Sequence, residues 1–243
     1  MHHPAILASL TYHLLLVVMQ GLSAPVLGQE MSPQFQRFKF SYFGPGEPRE
    51  GLDVTALMQL QGAERTRAED LLLGALPEAR VITGLGQLRS QRAKSRLREI
   101  FEAERAMRWK RPMYPDGDWM PYELVRSAGA LWLIGPDQRW LSALTDILTT
   151  AKHDYFRLIA LEEIFNCRDK AAVAPLVDAL GDTDALVRHH AAQALLAFHG
   201  LPYDSVDTEA AIYRVMAQPG SPRHAAGRDD ILAAFAGKPI VKE

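Results

Sequence analysis

The stretch VRHHAAQALLAFHG (187–200) contains the pattern that decides the fold. Its arginine recurs at intervals of 31 residues, in LVRSAGALWLIG (124–135) and in YFRLIALEEIFN (155–166). A small residue follows each arginine by three positions and an aliphatic residue follows by seven, so the same helix face is repeated three times. The repeated positions are Arg126, Arg157 and Arg188, then Gly129, Ala160 and Ala191, and then Leu133, Ile164 and Leu195.

A second series of apolar residues precedes each arginine segment. LREIF (97–101), LTDIL (144–148) and LVDAL (176–180) all have apolar residues at their first, fourth and fifth positions. The spacing between the first two is longer because of an insertion at 107–121. Two helices repeated with a period near 31 predict a stacked array, because one helix pair cannot bury its apolar face alone. No segment of the region alternates with period two, so the predicted fold class is all-α.

The turns between the helices contain residues that commonly begin a helix. GDTDA (181–185) places Asp and Thr just before the second helix of its pair. GPDQ (135–138) and CRDK (167–170) place Asp in the turns between repeats. Since an Asp side chain accepts hydrogen bonds from the first free amides of a helix, we expect these residues to be N-caps.

These segments resemble HEAT repeats of the short bacterial type, also called PBS-lyase-like repeats. The second helix of such repeats tends to follow the pattern D-x-x-V-R-x-x-A-A-x-A-L. The resemblance covers about residues 62–200 and implies a right-handed α-α superhelix of four to five helix pairs, with the second helices on the concave surface. It also implies a protein-binding scaffold. The matching residues here are Asp184, Val187, Arg188, Ala191, Ala192, Ala194 and Leu195.

The two ends of the chain differ from the repeats. Residues 29–61 are predicted to be a linker or N-terminal extension, and QFQRFKFSYFGPGEPREG (34–51), rich in aromatic residues, Gly and Pro, is expected to be extended. Residues 201–243 are predicted to form two capping helices, within DSVDTEAAIYRVMAQ (204–218) and RHAAGRDDILAAFAG (223–237). Terminal repeats deviate in this way because they must present a polar outer face.

Residues 1–28 have the order of a secretory signal peptide. The first 29 residues contain no Asp, Glu, Lys or Arg, and a short apolar run is followed by small residues and Pro25. Cleavage before Gln29 would give a periplasmic or secreted protein, whereas translation from Met31 would give a cytoplasmic one. The apolar run is too short for a membrane anchor, so no membrane span is expected in the mature chain.

Composition limits the classes of ligand. The net charge is −2 and the sequence pI is about 6.5, so the surface as a whole does not attract nucleic acid, and any electrostatic recognition is local. Cys167 is the only cysteine of the sequence. An internal disulfide and a zinc site built on several thiolates are therefore excluded.

The histidines of residues 187–200 do not have the spacing of a metal site. His189 and His190 are adjacent, so a helix directs them about 100° apart, and His199 follows almost three turns later. Deoxyhypusine hydroxylase resembles this architecture and binds two iron ions through His-Glu pairs, but this sequence has no His-Glu dipeptide. We predict no metal and no cofactor; His190 is expected to point outward or into a groove, and His189 to pack near the next repeat.

No set of catalytic residues is present in the sequence. Glu162 and Glu163 are adjacent on a helix and point in different directions, as do Asp229 and Asp230, so we expect both pairs to be solvated. Cys167 has no histidine near it in sequence. The sequence therefore predicts that the protein is not an enzyme.

One stretch is strongly basic and ends in an aromatic segment. Residues 89–111 contain nine Lys or Arg and three Asp or Glu, and MRWKRPMYPDGDWMPYE (107–123) contains two Trp and two Tyr. Arg and aromatic side chains together can bind an acidic peptide, a phosphate group or single-stranded nucleic acid. The alternative is a solvated basic helix followed by a loop that packs back on the repeats. The candidate binding residues here are Trp109, Lys110, Arg111 and Trp119.

The sequence thus predicts an exported, non-enzymatic scaffold for an unidentified protein partner. The partner would contact either the insertion or the second-helix positions Arg126, Arg157, Arg188 and His190. The arginines have an alternative role, which is to hold the turn within each repeat by bonding its carboxylates and carbonyls. The alternative function is a HEAT-like lyase or a nucleic-acid-binding protein that uses residues 89–122, although the low net charge makes nucleic acid a poor candidate.

Overall fold

The computed structural model describes residues 31–44, 51–107 and 122–241. The predicted leader (1–28) and nearly all of the insertion (107–121) lie outside the described residues. Within the described ranges there are α-helices, one short 3-10 helix and no strand. None of these helices combines the length and the apolar character that crossing a bilayer requires. The helices are α1 (Pro33–Phe43), α2 (Val54–Gln59), α3 (Gly62–Gly74), α4 (Ala79–Gln87), α5 (Lys94–Met107), α6 (Tyr122–Ile134), α7 (Gln138–Thr150), α8 (Asp154–Cys167), α9 (Val173–Ala179, after the 3-10 helix Lys170–Ala172), α10 (Ala185–Phe198), α11 (Val206–Val215) and α12 (Pro222–Phe235).

The helices from α3 onward form successive pairs, α3–α4, α5–α6, α7–α8, α9–α10 and α11–α12, each packed within itself. The second helices also pack on one another, in the order α4, α6, α8 and α10. The predicted all-α solenoid is confirmed. Helices α11 and α12 lie in the part of the chain after residue 201, and α12 also packs against α10.

Apart from Leu133, which is half-buried, the small and aliphatic repeated positions lie in the core between the second helices. Ala160 and Ala191, three positions after their arginines, are fully buried, as are Ile164 and Leu195, seven positions after. Gly129 is buried at the equivalent small position of α6. Burial of the same face in each pair is what makes the array stable, since each helix supplies the apolar surface that its neighbours cover.

The predicted N-caps are confirmed in all three turns. Asp137 accepts from the amide of Arg139 at the start of α7. Asp169 accepts from the amide of Ala171 at the start of the 3-10 helix. Asp184 begins α10 and accepts from the amides of two residues, Leu186 and Val187. These bonds fix where each helix starts and therefore which side chains face the neighbouring repeat.

The prediction of an extended segment near the N-terminus was wrong for residues 34–43, which belong to α1. Ser32 caps this helix by accepting from the amide of Phe35, and Pro33 occupies the first turn, where its missing amide is not needed. Phe35 and Phe38 lie one turn apart and are fully buried. The aromatic residues that suggested an extended segment instead form an apolar helix face, which packs on α2 and α3.

Candidate functional site: a groove across the second helices

A groove crosses the exposed side of four consecutive second helices. One cavity of about 720 Å³ is bounded by α4, α6, α8 and α10 and by Tyr203, which follows α10. A second cavity of about 620 Å³ shares lining residues with the first, among them Arg126, Tyr155 and Glu162. The two cavities are therefore continuous, and we call them together the second-helix groove. Its polar and aromatic lining residues include Glu78, Gln87, Tyr122, Glu123, Arg126, Tyr155, Glu162, Asn166, His190, Gln193 and Tyr203.

Arg126 lies on the floor of the groove and joins α6 to α8. One terminal nitrogen of its guanidinium donates to Glu163 Oε1 at 2.6 Å, and the other donates to Glu162 Oε2 at 2.7 Å. The Arg126 and Glu163 side chains are largely buried, whereas the side chain of Glu162 is 60% exposed. The positive charge of Arg126 is thus already matched by two carboxylates of the neighbouring helix.

The Glu163 carboxylate occupies the space above Gly129. A β-carbon built on Gly129 would overlap that carboxylate. The equivalent positions of the following second helices are alanines, Ala160 and Ala191. The packing explains the glycine at position 129, since only a residue without a side chain leaves room for a buried acid between α6 and α8. The expectation that Glu163 is solvated was wrong.

Burial changes the acidity of Glu163. Loss of contact with water raises the pKa of this carboxyl to about 7, the Arg126 guanidinium acts in the opposite direction, and the neighbouring Glu162 adds a smaller increase. The contact with the Arg126 guanidinium therefore offsets part of the cost of burying this carboxylate.

Arg157 is directed away from the groove, into the turns. Its guanidinium donates to the carbonyls of Ala151 and Lys152 at 2.9 and 2.8 Å, at the end of α7. It also forms a two-point ion pair with Asp182, in the turn of the next repeat. The side chain is buried. Arg157 therefore connects the turn of its own repeat to the turn that follows.

Arg188 holds two turns through main-chain carbonyls alone. It donates to Asp182 and Thr183 in the turn before α10, at 2.6 and 3.0 Å. On the other side it donates to Val215 at 2.9 Å and to the next two carbonyls after α11. Its side chain is also buried. Arg188 thus ties the last helix pair to the array.

Comparison with protein families is consistent with this geometry. The family model described as HEAT repeats matches residues 141–226. Residues 141–226 are HEAT repeats. The match runs from α7 into α12, so it takes in the last pair, which the sequence pattern assigned to a cap. No curated protein and no solved structure matches the chain. HEAT repeats are generally protein-interaction scaffolds and are typically non-enzymatic.

The structure separates the predicted binding residues into three groups. Arg126 and His190 come together on the second-helix groove. Arg157 and Arg188 are buried in the turns, as expected for the alternative role of the arginines, and neither lines the groove. The remaining candidates lie outside the described residues, and these are Trp109, Lys110, Arg111 and Trp119.

The three histidines of residues 187–200 differ in exposure, although the rings of His189 and His190 meet edge to face with their centroids 5.1 Å apart. His190 is exposed on the groove, whereas His189 is half-buried and burial lowers the pKa of its ring. The Nδ1 atom of His199 bonds the carbonyl of Lys238 at 2.8 Å, and its ring stacks on Phe235, so it fastens the C-terminal segment. Within the described ranges, no three His, Cys, Asp or Glu side chains converge as a metal site.

The described part of the basic stretch is partly neutralised by nearby acids. Arg92 forms ion pairs with Glu69 and Asp70 on α3. Arg96 pairs with Glu99 within α5. The local excess of positive charge over residues 89–107 is therefore smaller at the surface than the sequence suggests. This stretch does not line the second-helix groove in the part of the chain that the structure describes.

Sequence reasoning missed the acidic and polar residues of the groove. Glu163 was expected in water, and Asn166 and Gln193 received no role. One signal was present in the sequence, since Gly129 breaks the alanine column in the repeat that faces Glu163. Interpreting that signal requires knowing which helix lies opposite, and the order of packing supplies this information.

Proposed function

We propose that this protein is a non-enzymatic scaffold that holds a segment of a partner protein in the second-helix groove. The observation that carries the proposal is the continuity of this groove across α4, α6, α8 and α10, with Arg126 and His190 both on its surface. A groove that crosses several repeats can contact an extended segment at many points. Such contacts give affinity without a deep pocket.

The polar lining of the groove suits a polypeptide. Gln87, Asn166 and Gln193 carry carboxamides on three different second helices. A carboxamide donates and accepts, so it can bond the N–H and C=O groups that alternate along an extended chain. Tyr155 and Tyr203 add apolar contact area from side chains with few rotatable bonds, which makes their ordering inexpensive in entropy.

The environment of Cys167 supports the non-enzymatic assignment. Cys167 is buried, and its thiol donates to the carbonyl of Glu163. Burial raises the pKa of this thiol far above its ordinary value, and the nearby carboxylates add to the increase. The thiolate is the form that acts as a nucleophile, so this side chain is poorly suited to covalent catalysis.

Co-purification tests the scaffold proposal. A chain tagged at its C-terminus, expressed in the native host, is expected to retain a partner protein in stoichiometric amount, identified by mass spectrometry. Tyr155→Ala is expected to lower that retention about tenfold because it removes contact area from the centre of the groove. Tyr213→Ala is the matched control, since Tyr213 is exposed on α11 and does not line the groove. Equal retention by both variants would contradict the proposal.

We also propose that the protein is exported, to the periplasm or the medium. Support comes from the order of the leader, in which a short apolar run is followed by small residues and by a possible cleavage site before Gln29. N-terminal sequencing of the same purified sample is expected to start at Gln29. A sample that starts at Met1 or at Met31 would be a cytoplasmic scaffold, and export would be rejected.

A further inference from the structure

Acidic side chains gather at one end of the second-helix groove. Glu78 immediately precedes α4 but makes no side-chain bond to the first amides of that helix. Glu123 lies in the first turn of α6, and Glu162 lies on α8. In the part of the chain that the structure describes, no ion pair involves Glu78 or Glu123. Glu162 uses only its Oε2 atom on Arg126. This end of the groove therefore offers carboxylate oxygens to a ligand.

Aromatic rings lie beside these carboxylates. Tyr122 and Tyr155 line the same cavity and meet edge to face, with ring centroids 5.1 Å apart. Each of the two residues keeps about two fifths of its surface exposed. Tyr203, exposed to the same degree, lies in the adjoining cavity. The faces of exposed phenol rings attract cations, and they do so more strongly when carboxylates stand nearby.

The positively charged side chains of the groove do not neutralise its carboxylates. Among the described lining residues, the side chains that can carry positive charge are Arg80, Arg126 and His190. Arg126 is already held by Glu162 and by the buried Glu163. An acidic ligand would meet Glu78, Glu123 and Glu162 at once, and like charges brought together at an interface are costly.

We propose that the segment held in the groove is extended and cationic. One or more of its Arg or Lys side chains lie between the Tyr122–Tyr155 pair and the carboxylates of Glu78, Glu123 and Glu162. The carboxamides further along the groove bond the main chain of the segment. This inference rests on the proposed scaffold function and specifies the chemistry of the partner.

Model peptides test the charge of the ligand without knowledge of the partner. The probes are fluorescein-labelled twelve-residue peptides, Gly-Ser-Arg repeated four times and the matching Gly-Ser-Gln and Gly-Ser-Glu peptides, measured by fluorescence anisotropy with the full chain. The arginine peptide is expected to bind at least about tenfold more tightly than the other two at about 50 mM salt and to weaken as salt is added.

Variants place the binding on the groove. Tyr155→Ala is expected to lower the affinity for the arginine peptide about tenfold, because the exposed ring face is lost. The double change of Glu78→Gln and Glu123→Gln is expected to weaken binding of the arginine peptide about fivefold or more, because two carboxylates are neutralised. Glu78 is exposed and Glu123 is half-buried, and neither belongs to the apolar core. Glu209→Gln is the matched control, since Glu209 is an exposed acid on α11 outside the groove.

Two results would overturn the cationic assignment. The first is that the glutamate or glutamine peptide binds as tightly as the arginine peptide, or more tightly. The second is that neither Tyr155→Ala nor the Glu78→Gln and Glu123→Gln double change alters the affinity for the arginine peptide. In either case a partner whose retention still depends on Tyr155 would leave the scaffold proposal intact. Loss of all partner retention, with the arginine peptide still bound at the groove, would reject the scaffold and keep the cationic site.

Discussion

Gly129→Ala is expected to destabilise the protein by about 2–4 kcal/mol, as measured by chemical denaturation. The new methyl group overlaps the buried Glu163 carboxylate, so that carboxylate must leave the contact with Arg126 or push α6 and α8 apart. An alanine in a helix interior would otherwise gain up to about 1 kcal/mol over glycine. Gly74→Ala, at the last residue of α3 with open space around it, is the control and is expected to be neutral or slightly stabilising.

A compensating change should restore stability. At the next junction the positions equivalent to Gly129 and Glu163 are Ala160 and Ala194, which are both buried. The double variant of Gly129→Ala and Glu163→Ala reproduces that pair, and its stability is expected to lie within about 1 kcal/mol of the wild type. Simple addition of the losses of the two single variants would show that Gly129 and Glu163 do not share this space.

Arg188→Met is expected to cost about 3–5 kcal/mol, because buried and partly buried carbonyls in two turns lose the charged donor that joins them. The affected carbonyls belong to Asp182, Thr183 and the segment that starts at Val215. Arg188→Lys is expected to recover little, since a single ammonium group cannot reach both turns. The readout is the denaturation midpoint of each variant.

The control for Arg188 is another arginine with an ion pair. Arg214 pairs with Asp230 at the surface, and both side chains are substantially exposed. Arg214→Met is therefore expected to cost less than about 1 kcal/mol. An Arg188→Met protein that folds as stably as Arg214→Met but no longer retains its partner would assign Arg188 to binding and contradict the structural role.

The architecture could be predicted from the sequence because it depends on short-range regularities. The spacing of Arg157 and Arg188 gives the length of the repeat, and Asp137 and Asp184 mark helix starts by bonds to amides two or three residues away. Helix α1 was missed because Gly and Pro after it, and its aromatic content, favoured an extended interpretation. Ser32 followed by Pro33 was the sequence signal that a helix begins there.

The site could be predicted only in part, because the partner of each side chain depends on the neighbouring repeat. Arg126, Arg157 and Arg188 occupy equivalent positions in their helices. Arg157 nevertheless forms an ion pair with Asp182 in a turn, whereas Arg126 pairs with Glu162 and Glu163 on α8. Spacing along one helix gives the direction of a side chain but not the residue that it meets. For this reason the sequence alone left open whether the arginines bind a partner or hold turns.

Photo-crosslinking tests the central claim, which is that the second-helix groove is the binding surface. A benzophenone amino acid replaces Tyr155 in the groove in one variant and Tyr213 on α11 in the other, and both are irradiated in the native host. The account predicts a covalent adduct with one partner protein at Tyr155 and none at Tyr213. An adduct formed at Tyr213 and absent at Tyr155 would contradict it.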